Sequence, residues 1–160
     1  VNVHTGAMHT EQGLVEGEAA ETLLLRRALG TPARIFADVH VKHATPVHGE
    51  RIEDAARDAL LRGRADALVV SGAATGSAPD GERIERGRAA VGPHAASVIG
   101  SGFAVETAGA LLEHADGALV GTAAKRGGRV SEPVDPERVA ALVAAARRTA
   151  CPGVAAVSAG

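Results

Sequence analysis

Arg34-Ile35-Phe36-Ala37-Asp38-Val39-His40-Val41-Lys42-His43 sets apolar residues in alternation with Asp38, His40 and Lys42. A β-strand sends successive side chains to opposite faces, so this spacing predicts a strand over 34–43 with those three polar groups on one wall. A carboxylate, an imidazole and an ammonium on a buried wall need mutual pairing, water or a ligand to offset desolvation. The stretch reads as the floor of a site. The plainer alternative is an amphipathic strand with one solvated face.

On either side, strand and helix signals alternate. Residues 1–4 read as a strand, followed by a polar loop to Gly17 and a helix over 18–29 that stops at Gly30. Thr31-Pro32 turns the chain into the central strand. Beyond it come a loop over 44–49, a helix over 51–62 ended by Gly63, and a strand over 65–71 whose run Ala67-Leu68-Val69-Val70 suits a parallel strand covered on both faces. A loop over 72–81, a helix over 82–91, a strand over 95–99, a helix over 104–114 and a strand over 117–120 follow. The last helix has the clearest start: Asp135 can cap it, Pro136 suits its first position and Glu137 complements its dipole. Residues 151–160 read as a frayed small-residue tail.

Five strands, each followed by a helix, predict an α/β chain with a parallel sheet and right-handed crossovers. Residues 1–150 are therefore expected to form part of a (β/α)₈ TIM barrel, about five βα units, since 160 residues are short for eight. Val1-Asn2-Val3-His4 enters at once into a strand-like pattern without an initiator methionine, which reads as a cut through a larger domain.

Composition narrows the partners. The formal charge is −2 and no basic block is present, which argues against nucleic acid as a partner. The only aromatic residues are Phe36 and Phe103, too few for a base-stacking platform. No apolar run is long enough to span a bilayer as a helix, so no integral membrane segment is expected. The lone Cys151 allows neither an internal disulfide nor a cysteine pair for a metal, and no basic-then-apolar leader opens the chain; the cytoplasm is the expected compartment.

In a barrel, function gathers at the carboxyl ends of the strands, and the unusual residues recur there: His4, Asp38 to His43, Ser71-Gly72, Gly100-Ser101-Gly102 and Gly121-Thr122. Glycine lets backbone N–H groups approach an anion closely, and Ser101 and Thr122 can add hydroxyl donors. A tight strand-to-helix turn would explain one such cluster; two, one βα unit apart, favour phosphate. Fifteen of the seventeen basic residues are arginine, and the two lysines, Lys42 and Lys125, fall at or beyond strand ends. Lysine can lose its proton when desolvated, so Lys42 is the candidate base or electrostatic stabiliser, with Asp38 and His40 as proton-transfer or orienting groups. Lys125 reads as a solvated loop charge. His4, Ser71 and Gly72 complete the expected substrate contacts. No His-Glu-x-x-His spacing supports a metal, no cofactor is called for, and no nucleophile elbow surrounds Ser71 or Ser101.

Five stretches together resemble the BtpA/SgcQ family: residues 1–8, Phe36 to Ala44, Val70 to Gly76, Ile99 to Gly102, and Pro133 to Val139. The likeness runs in consistent order to about Arg148, and its first three motifs are specific. The family is similar to phosphate-binding (β/α)₈ barrels. Its cyanobacterial members are associated with photosystem I accumulation, peripheral to the thylakoid membrane; others are presumed enzymes without a settled substrate. The resemblance implies that the five strands are the fourth to the eighth, with the first three units missing. It leaves two functions open: an enzyme acting on a small phosphorylated or sugar-like compound, or a non-catalytic assembly or stability factor for photosystem I or another complex. A partial barrel has unpaired edges, so self-association is expected.

Overall fold

A hairpin opens the chain in the computed structural model, which describes residues 1–41, 43–72 and 80–149. Strand β1 (Ala7–Thr10) pairs antiparallel with β2 (Gly13–Glu16) across a two-residue loop. The polar loop expected here is thus a hairpin, although Glu11-Gln12 lacks the glycine or asparagine that announces a two-residue turn. Gly13 instead takes the positive φ, at 109°, and Thr10 clamps the loop, its hydroxyl donating to Gly13 O (2.9 Å) and accepting from Gln12 N (3.1 Å). After α1 (Ala19–Ala28) and β3 (Phe36–Val39), β4 (Ala44–Pro46) returns to the other side of β1. The result is a small antiparallel sheet, β2-β1-β4.

The main sheet is parallel, in the order β3-β5-β6-β7, with β5 at Ala67–Val70, β6 at Ala96–Ile99 and β7 at Gly117–Ala118. The connections carry α2 (Ile52–Arg57), prolonged by a π-helical turn over Asp58–Arg62, then α3 (Gly81–Val91) and the short α4 (Ala108–Leu112). Four of the five expected parallel strands thus form. The fifth, over 1–4, is reduced to Val1: its terminal ammonium donates to Phe36 O (2.7 Å) and its carbonyl accepts from Asp38 N (2.9 Å). Those two bonds are the pattern of parallel pairing, placed on the outer side of β3.

One face of this sheet carries Ala37, Val39, Leu68, Val70 and Ile99 into a core shared with Ile52, Ala56, Ile84, Phe103, Leu111 and Leu142. Ala67, Val69 and Val98 form a smaller buried cluster on the opposite face. Helix α5 (Pro136–Thr149) starts as its sequence predicts, with Asp135 Oδ1 accepting from Glu137 N at 3.0 Å. Between α5 and β7 lies an apolar groove of about 690 Å³ walled by Phe103, Leu112, Val139, Leu142 and Val143.

A repeated device pins the amino ends of the strands. Asp66, just before β5, accepts from Ile35 N (2.8 Å) and from Arg26 and Arg34. Asp116, just before β7, accepts from Ser97 N (2.8 Å) and from Arg88. In both places an Ala-Asp pair opens the strand, and the carboxylate bonds the backbone of the neighbouring one. Among the described residues no helix is long and apolar enough to cross a membrane.

Candidate functional site

The carboxyl ends of the strands carry the turns singled out by sequence. Gly100 N donates to Val70 O (2.9 Å) and Leu119 N to Ile99 O (2.8 Å), so the ladder continues one residue past β6 and past β7 before the chain turns away. Ser71, 6% exposed, lies beneath Gly100. A Cβ at position 100 would collide with Ser71 Oγ and lie 2.6 Å from Val69 Cγ1, so glycine is demanded there by strand packing. Gly102 has φ 76°, in the region that favours glycine. Thr107 fixes this turn, its hydroxyl accepting from Ala104 N (2.9 Å) and donating to Gly102 O (3.1 Å).

Both glycine turns line one pocket of about 300 Å³. Gly100, Ser101 and Gly102 supply one side, Gly121 and Thr122 the other, and Phe103, Leu119 and Val120 the apolar part. Among the described residues no charged side chain lines it. Its polar capacity lies in two hydroxyls and in backbone: among the described residues the N–H groups of Ser101, Gly102, Gly121 and Thr122 meet no protein acceptor. A Cβ on Gly121 would meet no atom within 4 Å. The expected helix over 104–114 is reduced to α4, which begins only at Ala108, so the first glycine turn does not run straight into a helix N-terminus.

A second pocket, of about 220 Å³, is lined by His40, Val41, His43, Ala44, Thr45, Pro46, Gly72 and Arg83. Gly72 N donates to Ser101 Oγ at 3.1 Å, joining a wall of this pocket to a wall of the first. The predicted strand over 34–43 stops at Val39, because His40 (φ 56°) and His43 (φ 59°) take left-handed backbone. The expected alternation of Asp38, His40 and Lys42 is therefore broken after Asp38. Asp38 is half-buried in register with Val69 and Val98, on the face away from the helices. His40 is turned into the second pocket, and Lys42 lies outside the described residues.

His40 Nε2 is buried without a hydrogen-bond partner among the described residues. Burial, then the charge of Arg83, holds its pKa below the ordinary 6.5, against a hydrogen bond with the Glu50 backbone. The ring is therefore neutral at pH 7. Arg83 Nη2 donates to His40 O at 3.4 Å, and burial also lowers the arginine's own pKa. Glu50, close behind this loop, is pushed up by burial and by Asp58 and Asp54.

His4 stands apart from both pockets. It is 1% exposed and its Nε2 lies 2.8 Å from Gly63 O, beyond the π-helical turn. Lys125 bonds the carbonyl of Val130, within the loop that precedes α5. Among the described residues no group of three or more His, Cys, Asp or Glu side chains is arranged to hold a metal ion. Sequence reading missed Arg83. Its signal was an arginine in the first turn of a helix, where the dipole disfavours a cation.

The family model described as "BtpA family" matches residues 1–148. The chain belongs to the BtpA family. Among BtpA-like relatives, a Synechocystis protein named "Photosystem I biogenesis protein BtpA" is 44% identical over 146 residues, covering 91% of this chain and 50% of its own. An uncharacterised Thermococcus kodakarensis protein is 44% identical over 147 residues, covering 92% of this chain and 55% of its own. One from Methanocaldococcus jannaschii is 36% identical, covering 89% and 53%. The chain thus spans about half the length of the curated relatives it matches.

Proposed function

We propose that this BtpA-family chain supplies the ligand-binding rim of a (β/α)₈-type barrel and binds a small phosphorylated compound at the carboxyl ends of its strands. The observation that carries this reading is the pocket shared by the two glycine turns, with four N–H groups that meet no acceptor among the described residues and two hydroxyls beside them. Such a cradle holds an oxyanion through fixed backbone dipoles. His40, neutral and adjacent through Gly72 and Ser101, is the group suited to proton transfer. Asp38 would orient, and Lys42 would act as base or electrostatic stabiliser.

Isothermal titration with inorganic phosphate and glycerol phosphate tests the cradle. Saturable binding that Gly121→Ala weakens supports it. Absence of binding, or indifference to Gly121→Ala, sinks it.

A second reading, an assembly or stability factor, draws on the name of the Synechocystis relative. Under that reading a partner complex is bound through the outer surface. Variants at Gly121 would then leave co-purification with the partner intact.

A further inference from the structure

Arg83 differs from the other arginines of the chain. Only Arg26 and Arg83 are half-buried. Arg26 is paired with Asp66 at 3.0 Å. Among the described residues Arg83 makes no ion pair, its Nε is buried without an acceptor, and its one hydrogen bond is the 3.4 Å reach to the His40 carbonyl. A guanidinium so placed is expensive, because desolvation and the positive end of α3 both oppose the charge. Arg86, one turn on, adds repulsion while being held itself by Glu53 at 2.8 Å. His40, Thr45 and Gly72 share this pocket, and among the described residues no carboxylate lines it.

We propose that the ligand is doubly anionic, with its phosphoryl group at the glycine turns and a second oxyanion, a carboxylate or another phosphoryl, held by Arg83 in the His40 pocket. The first half of this assignment rests on the reading given under Proposed function; the second comes from Arg83. A guanidinium presents a planar fork of donors that matches both oxyanions. The Gly72 to Ser101 hydrogen bond makes the two pockets neighbours on one rim, so a compact molecule can reach both. His40, with Nε2 buried in the same place, lies beside the chain of atoms that joins the two anionic ends.

The test is a calorimetric titration of the 160-residue chain with glycerol phosphate, phosphoglycerate and propanediol bisphosphate. At least one doubly anionic probe is expected to bind about tenfold or more tightly than glycerol phosphate, the scale of a charge-assisted hydrogen bond. Arg83→Gln should erase that preference, and Arg83→Lys should restore part of it. Preference for phosphoglycerate over the bisphosphate assigns a carboxylate, the reverse a second phosphoryl. Equal affinities for singly and doubly anionic probes, or a preference that survives in a folded Arg83→Gln, overturns the inference. Gly121→Ala separates the two readings. If it weakens glycerol phosphate while Arg83→Gln has no selective effect, only this inference fails; if no probe binds, both fail. Far-UV circular dichroism establishes that each variant is folded, and the lysine variant decides the matter if the glutamine one is not.

Discussion

The Gly72 amide donates to the Ser101 hydroxyl at 3.1 Å, across the ends of two adjacent parallel strands. A serine side chain thereby does what the ladder no longer can once the backbones diverge. Ser101→Ala removes the acceptor and leaves an N–H to find water. A loss of about 1 kcal/mol is expected in urea unfolding. The same variant should weaken phosphate binding, because both the hydroxyl and the shape of the turn change.

The two glycines that flank the pocket should respond in opposite ways. Gly100→Ala drives a Cβ into Ser71 Oγ and Val69, so it should destabilise by about 1–3 kcal/mol. Gly121→Ala meets nothing within 4 Å and should change affinity more than stability. Denaturant midpoints and titrations of the two variants, measured side by side, check this pairing.

His40 gives stability a pH dependence of definite sign. Its folded pKa lies below its unfolded value of about 6.5, so between the two the unfolded chain binds more protons. The contribution is fully present above pH 6.5 and is lost as the pH falls toward the folded value. Glu50, raised from 4.5, works with the opposite sign: its folded form holds the proton more tightly, so its contribution fades as pH rises from 4.5 through its folded pKa. Comparing the wild type with His40→Gln between pH 7.5 and 5.5 isolates the histidine. The variant should lose less stability across that range.

At lower pH two carboxylates take over. Glu53, bonded by both Arg86 and Arg51, is held at about 2, and Asp66 lies below its usual 3.8 because of the Ile35 amide and Arg34. Both are depressed acids, so their stabilisation is present above the unfolded pKa and disappears as the pH drops through the folded one. Asp66→Asn should cost about 2 kcal/mol at pH 7 and move the acid-unfolding midpoint upward, as followed by circular dichroism.

The outer edge of β7 has no strand partner among the described residues, and Leu119 and Val120 next to it are 48% and 37% exposed. An open parallel edge with apolar neighbours recruits another chain. The 160-residue chain is expected to self-associate at micromolar concentration. A monodisperse monomer in light scattering would speak against it.

The parts of the fold that could be read from sequence are those whose cause is local. Asp135-Pro136-Glu137 announces α5, the run Ala67 to Val70 announces β5, and the glycine turns stand where the strands end. Other parts depend on distant partners. The hairpin at Thr10 to Gly13 is closed by a threonine clamp instead of turn-type residues, and Gly100 is a glycine because Ser71 occupies the space. The left-handed turn at His40 cannot be read from alternation, since histidine gives no notice of positive φ. For the same reason the expected wall of Asp38, His40 and Lys42 was too regular, and Arg83, on a helix 43 residues beyond His40, escaped notice.

Asp66 and Asp116 brace neighbouring strands at the end of the sheet remote from the glycine turns. On the proposed reading, scaffold and chemistry are separated along the strand axis, with alignment fixed at the foot and recognition left to the crown. Such a division lets descendants of one sequence exchange crown residues, and with them the molecule they recognise, while the foot keeps every strand in step.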